Sequence, residues 1–302
     1  MRNILFCFLL STFYPSEILA QRSYVEVLGI AQDAGYPQAG CPKKCCEALH
    51  YDPSLRQNVA SIALVNETKS SYWIFDATPD FTTQNNLLYH SIKSSTLGGI
   101  FLTHAHIGHY TGLVYLGREA MSTSKLRVFV RPKMKLFLEN NGPWSQLVTL
   151  GNIELKDTQK PVQLNSNLKV ESFLVPHRDE FSETVGYKIS SSSKSLIYIP
   201  DIDKWSKWEK NLADLVKEND YLLLDGTFFK DGEINRPMSE VPHPFVSETM
   251  EVLNNLTAGQ KSRVYFIHFN HTNPLLSKDS AEYTAVIKAG FNVSYQGLKL
   301  EL

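Results

Sequence analysis

Three imidazoles fall within six residues in the run His104-Ala105-His106-Ile107-Gly108-His109, directly after the apolar stretch Gly99–Thr103. A turn at the end of a strand lets alternate side chains face one point, and neutral imidazole is a ligand for zinc and for first-row metals generally. The chemistry to expect is metal binding; no G-x-S-x-G elbow supports a serine nucleophile. The four cysteines are too few for a disulfide framework. Cys41, Cys45 and Cys46 cannot all pair within the chain. Either something else holds them, or Cys41 bonds Cys45 or Cys46 and one thiol is left free. The isolated His50 and His90 read as ordinary core or surface residues.

Short runs rich in Val, Ile, Leu, Tyr and Phe must position these groups: Tyr24–Ile30, Ser61–Val65, Tyr72–Phe75, Gly99–Thr103, Arg127–Val130, Leu168–Val175, Thr184–Ile189, Ser195–Ile199, Tyr221–Leu224, Arg263–His268 and Asn292–Tyr295. Helical patterns are interspersed around Gln84–Lys93, Gly112–Met121, Lys133–Asn140, Lys204–Glu218, Val246–Leu256 and Ser280–Ala289. Strands outnumber helices, a pattern that suits two packed β-sheets with helices on their outer faces, an α/β fold. No linker, charge block or repeat divides the chain, so a single domain is expected.

Composition narrows the function classes. With 30 Lys+Arg against 31 Asp+Glu, a net charge of -1 and 43% hydrophobic residues, the chain lacks the basic excess of a general nucleic-acid binder and has the balance of a globular core former. A small-molecule substrate is the expected partner; oligomeric state is not legible. Residues 1–20 combine a basic start at Arg2, an apolar run Ile4–Tyr14, Pro15 and the small Ala20. These are the parts of a cleaved signal peptide, which implies export to the periplasm or beyond and leaves 21–302 as the folded domain. No later stretch has the roughly 18 apolar residues a spanning helix needs.

The histidine run resembles the H-x-H-x-D-H motif of the metallo-β-lactamase fold, an αββα sandwich whose metal site sits at its edge on loops. The resemblance implies one metal position at His104, His106 and His177, a second at His109 and His268, and Asp201 as the shared carboxylate. His177, Asp201 and His268 each follow an apolar run, where a loop-borne ligand is expected. Gly108 is the departure. The family's Asp at that place ligates the second metal and helps orient the attacking hydroxide, so the second position keeps at most three protein ligands and is weak, suited to another metal, or empty.

Further segments resemble the pyrroloquinoline quinone biosynthesis protein B family: Gly35-Tyr36-Pro37-Gln38 with Cys41, Asp76-Ala77-Thr78-Pro79-Asp80, Asp225-Gly226-Thr227-Phe228-Phe229 and His268-Phe269-Asn270-His271-Thr272-Asn273-Pro274. The likeness runs from about Val25 to Leu302. Members serving cofactor synthesis have largely lost the histidines matching His104, His106 and His177 and tend to have glycine at Asp201; all four are present here. A cyclic phosphodiesterase of phosphonate breakdown is also similar and shares the cysteine-rich loop. That likeness implies a structural zinc on Cys41, Cys45, Cys46 and His271. The C-x₃-C-C spacing departs from the relatives' C-x-C-x₂-C, and adjacent cysteines strain to reach one ion, so one of them as a spectator stays open.

With export expected from residues 1–20, the resemblance implies a hydrolase holding one or two active-site Zn2+ ions and a structural zinc, in which metal-activated water attacks an ester, lactone or phosphodiester. Two alternatives stand beside it: an iron-dependent oxidation in quinone cofactor synthesis, and a metal-stabilised binding protein without turnover. His243, between Pro242 and Pro244, is either the proton donor to the leaving group or an exposed loop histidine. Asp225 is expected as an acceptor behind a ligand histidine. Asp33, Tyr36 and Gln38 either line the pocket or are turn residues.

Overall fold

The computed structural model describes residues 22–92 and 95–302. The expected signal peptide, 1–20, lies outside the described residues. From Arg22 onward the chain builds β1 (Ser23–Gly29), β2 (Ser61–Asn66), β3 (Ser71–Phe75), β4 (Thr96–Phe101), β5 (Leu126–Val130) and β6 (Ile153–Asp157) as one sheet. It then lays down β7 (Val162–Gln163), β8 (Lys169–Leu174), β9 (Val185–Ser190), β10 (Ser195–Ile199), β11 (Tyr221–Asp225), β12 (Val264–Ile267) and β13 (Asn292–Val293) as a second. Finally β14 (Lys299–Glu301) returns to the edge of the first. The orders are β14-β1-β2-β3-β4-β5-β6 and β13-β12-β11-β10-β9-β8-β7. Helices cover both outer faces, giving the expected αββα sandwich.

Burial on both faces explains why the strands read as continuous apolar runs. In β2, Ile62 and Leu64 join the core between the sheets, while Ala63 and Val65 join the layer under the helices Phe81–Ser91 and Pro132–Asn140. Phe75, Phe101 and Phe129 stack across β3, β4 and β5, with centroids 4.8 and 4.2 Å apart, and Tyr187 meets Phe75 and Phe101 edge-on from the opposite sheet. Full burial of each such ring stabilises the fold by roughly 1.5–3 kcal/mol.

Strand direction decides where the site can form. In the first sheet β2 is antiparallel to both β1 and β3, and β4 is parallel to β3, so β1, β3 and β4 end at the same edge. In the second, β9 is antiparallel to β8 and β10, and β11 and β12 run with β10, so β8, β10, β11 and β12 also end together. The two edges meet: Ala31 bridges Phe269, and Val185 N–H donates to Thr103 O at 3.1 Å.

Local expectations differ in places. The helix expected over Gly112–Met121 is a short helix at Ile107–Tyr110 followed by 3₁₀ turns at Thr111–Leu116. A Cβ on Gly112 would come within 2.2 Å of Thr78 O, so the backbones touch there and the chain bends rather than continuing. The pattern over Lys204–Glu218 splits into a 3₁₀ turn at Trp205–Lys207 and a helix at Leu212–Glu218, capped by the Asn211 side chain. The short strands β6, β7 and β14, and the helix Lys44–Tyr51, go beyond the sequence expectations.

Candidate metal centre

The loops leaving the seven co-directed strands bring the histidines together. His104, His106 and His177 form one donor group; Asp33, His109, Asp201 and His268 form a second; within each, the donor atoms lie within 4.8 Å of one another. Asp201 is buried between them. Its Oδ2 is 2.9 Å from His109 Nε2, 3.3 Å from His268 Nε2 and 3.7 Å from His104 Nε2, and its Oδ1 is 3.8 Å from His177 Nε2. One carboxylate therefore lies within 3.8 Å of donor atoms in both groups.

Hydrogen bonds behind the ligands fix which nitrogen is free. Thr103, just past β4, donates its hydroxyl to Asp76 at 3.0 Å, and His104 Nδ1 is 3.0 Å from the same oxygen. Having given its only proton away, Thr103 can only accept from His104 Nδ1–H, so His104 Nε2 carries the lone pair. Asp76 Oδ2 accepts from His109 Nδ1 at 2.8 Å, leaving His109 Nε2 bare. The second sheet repeats the device. Thr227 donates to Asp225 Oδ1 at 2.7 Å and faces His268 Nδ1 at 3.0 Å, which bares His268 Nε2. His106 Nε2 meets Glu180 at 3.1 Å, turning its Nδ1 to within 2.8 Å of His104 Nε2.

These bare atoms test whether a cation fits. Asp33 Oδ1, His109 Nε2, His268 Nε2 and both nitrogens of His177 are buried without a hydrogen bond of acceptable geometry. Orphaned buried polar atoms are rare and call for an unseen partner; here they converge beside one buried carboxylate. The proton affinities agree. Burial above all, then the neighbouring His109, holds His104 well below the ordinary histidine value, and burial holds His177 at about 4, so both present lone pairs at neutral pH. Burial opposes a charge on His109, yet Asp76, Asp201 and Asp33 raise its proton affinity well above the ordinary value. An environment that favours a proton so strongly also favours a cation. His268 and Asp76 hold their backbones at φ of 69° and 70°, the left-handed region that non-glycine residues rarely adopt, and such strain clusters at functional sites.

His243 is buried rather than an exposed loop residue, which removes one sequence alternative. Its Nδ1 is 2.8 Å from Asp225 Oδ2 and 3.4 Å from Asp201 Oδ1. Asp225 thus sits behind two histidines, directly behind His243 and through Thr227 behind His268, and it also accepts from Ile202 N–H at 3.1 Å. Burial disfavours charge on His243, but Asp225 raises its proton affinity. Beyond His243 opens a cavity of about 370 Å³, whose wall includes Lys43, Arg178, Phe228, Arg236 and Glu240. Gln38 lines this cavity, whereas Tyr36 lines a neighbouring surface depression with Asp33.

The cysteine loop forms a separate group. Cys41, Cys45 and Cys46 are free thiols, so the disulfide alternative does not hold. Their Sγ atoms stand 3.4, 3.4 and 3.5 Å from His271 Nδ1. A tetrahedral ion with zinc–sulfur and zinc–nitrogen bonds of ordinary length would set that edge at about 3.6 Å. Cys45 and Cys46 lie in the first turn of the helix Lys44–Tyr51, where adjacent residues can still converge, and both sulfurs gather on His271 together with Cys41. Burial above all pushes the Cys46 thiol up to about 12 and also raises Cys45, whereas Cys41 is lowered, burial being outweighed there by the Lys43 N–H and the neighbouring thiols; holding Cys45 and Cys46 as thiolates calls for a cation. His50 reaches only Cys41 O, at 3.4 Å, and His90 lies exposed on the helix Phe81–Ser91.

Sequence reasoning gave no role to Asp76, Thr103, Thr227 and Glu180, and left Asp33 as either a pocket-lining or a turn residue. Asp76 and Thr227 belonged to noted motifs, but Thr103 at the end of an apolar run reads as strand propensity, and nothing marks an exposed Glu180.

The family profile described as Beta-lactamase superfamily domain matches residues 72–269. Coenzyme PQQ synthesis protein B of Methylococcus capsulatus is 26% identical over 311 aligned positions, which cover 92% of this chain and 99% of that protein. Among solved structures, Zn2+-bound PqqB from Methylobacterium extorquens superposes with a TM-score of 0.77 at 22% identity, over 92% of this chain and 100% of that one. A diphosphatase from the PhnP family gives a TM-score of 0.65 at 22% identity, over 93% and 97%.

Proposed function

The chain belongs to the β-lactamase superfamily domain family; from that membership we propose that it is a metal-dependent hydrolase acting on a phosphodiester, ester or lactone, and from the signal-like residues 1–20 that it is exported. The observation that carries this reading is the pair of adjacent donor groups, the second containing Asp201 and the first within 3.8 Å of it, with unbonded buried atoms on His177 in one and on Asp33, His109 and His268 in the other. The three imidazoles and the mixed histidine–carboxylate set suit zinc. A Lewis-acidic ion held by His104, His106 and His177 would lower the pKa of bound water toward about 7. The chain's own residues supply the rest. Asp201 spans the two positions, and the Asp76–Thr103 and Asp225–Thr227 pairs hold the imidazoles in the ligating tautomer. Asp225 accepts from His243 Nδ1–H and favours the imidazolium, whose second proton on Nε2 would go to a leaving group entering from the cavity.

The cavity favours the phosphodiester among the three. Lys43, Arg178 and Arg236 stand in its wall against the single carboxylate Glu240, an excess that attracts an anion. Purified protein loaded with zinc is expected to cleave a phosphodiester faster than an ester or a lactone, and His104→Ala to abolish turnover while the chain stays folded. No turnover on any of the three by fully loaded protein would sink the hydrolase reading. The alternative, an iron-dependent oxidation in quinone cofactor synthesis, is favoured by the likeness to PQQ synthesis protein B over 92% of this chain. Co-purified iron with oxygen consumption would select it.

A further inference from the structure

Residue 108 is glycine where the metallo-β-lactamase motif carries a ligand aspartate, and its position is not vacant. A Cβ built on Gly108 would lie 2.2 Å from Asp33 Oδ1, 2.8 Å from Asp33 Cγ and 2.7 Å from Asp33 Cα. The carboxylate of Asp33 fills the volume in which a residue-108 side chain would begin. We infer that Asp33 is a ligand of the second metal position, delivered by the loop after β1 in place of the motif's own carboxylate, and that residue 108 is glycine to admit it. This rests on the metal-centre reading above.

Asp33 Oδ1 is 3.2 Å from His109 Nε2 and 3.5 Å from His268 Nε2, the two nitrogens that also face Asp201. All three atoms are buried and lack a hydrogen bond. The Asp33 and Asp201 donor oxygens lie within 4.8 Å of each other. Two carboxylates at that separation repel unless a cation lies between them. The second position thus holds two histidines and two carboxylates, four protein donors rather than the three that the motif alone leaves.

The backbone explains how a residue more than seventy positions upstream can do this. Phe269 N–H donates to Ile30 O at 2.7 Å and Gln32 N–H donates to Phe269 O at 2.8 Å, pinning the loop beside His268. The turn closes with Gly35 N–H on Gln32 O at 2.8 Å, with Gly35 at φ +80°. Downstream, the Cys41, Cys45 and Cys46 sulfurs gather on His271, three residues beyond His268. The Asp33 loop is therefore fastened on both sides to the segment that carries the ligand.

Metal binding, read without turnover, tests the inference. Chelator-stripped protein is titrated with Zn2+ by calorimetry with elemental counting, and with Co2+ to separate the thiolate site by its sulfur-to-metal absorption. Wild type is expected to take two ions at the histidine cluster besides the thiolate-bound one. Asp33→Ala and Asp33→Asn should weaken one cluster ion at least about tenfold, the scale on which even residues behind a ligand act, and leave the other two unchanged. Gly108→Ala should lose the same ion by displacing Asp33, and the double variant should lose no more than either single one. Asp33→Asn keeps the side-chain volume and decides the matter if Asp33→Ala fails to fold. An unchanged second ion in Asp33→Asn, or no second ion in wild type, overturns the inference; loss of hydrolysis with both ions retained would strike the functional reading instead.

Discussion

Thr103 and Thr227 each have one hydroxyl proton, and each gives it to a buried aspartate. The gift matters because it turns the hydroxyl into a pure acceptor toward histidine Nδ1, which is what exposes Nε2 on His104 and His268. Thr103→Val preserves shape and removes this constraint. It should weaken the ion at His104, His106 and His177 by about 10–100-fold, the usual effect of removing a partner behind a ligand, with little change at the thiolate site; equal zinc affinity in a calorimetric titration would contradict the relay. The candidate ligands were legible because their motif resembles a known one and because histidine and aspartate just past apolar runs have few structural uses. Asp33 was not, since an aspartate in a glycine-rich stretch reads equally well as a turn residue, and a missing motif carboxylate reads as a lost ligand. Only the 2.2 Å approach to Gly108 separates loss from replacement.

Strands were legible mostly where both faces are buried, as in β2, β10 and β11, with the half-buried β8 an exception. All eleven apolar runs became strands, whereas β6 alternates charged and apolar residues and β7 has two residues, too few for any periodicity. The helix Lys44–Tyr51 was hidden for a different reason: its first turn carries two of the gathered sulfurs, and Lys43 at its N-cap makes no side-chain cap bond. A helix that starts at a candidate ion site rather than at a cap should depend on that ion. Lys43 and Lys44 are exposed, so zinc-loaded protein should resist trypsin there, and protein stripped by a thiol-competent chelator should be cut within this segment first. Cys46→Ser should be cut without stripping. Equal resistance of loaded and stripped protein, followed by mass spectrometry of the fragments, would show that packing and not the ion holds the segment.

At the scale of the whole molecule, the sandwich closes through its two ends. β1 pairs with β2 on one side and with β14 on the other, and Leu302 N–H donates to Ser23 O at 2.8 Å. Ser23 is therefore inside the sheet, while a cut after Ala20 would leave only Gln21 and Arg22 ahead of it. Cleavage there would leave β1 and its pairings with β2 and β14 intact, which makes the export reading compatible with the folded body. Export would also place three free thiols in an oxidising compartment, where a cysteine cluster persists unpaired only if an ion occupies it. The two expectations can be tested on one sample. Protein expressed from the full chain and recovered from outside the cytoplasm should begin at Gln21 by N-terminal sequencing. Cys41, Cys45 and Cys46 should stay unreactive toward a thiol reagent in the zinc-loaded state and should all react after denaturation with chelator. An intact Met1 in cytoplasmic protein would overturn export, and a disulfide among the three would overturn the ion-held loop.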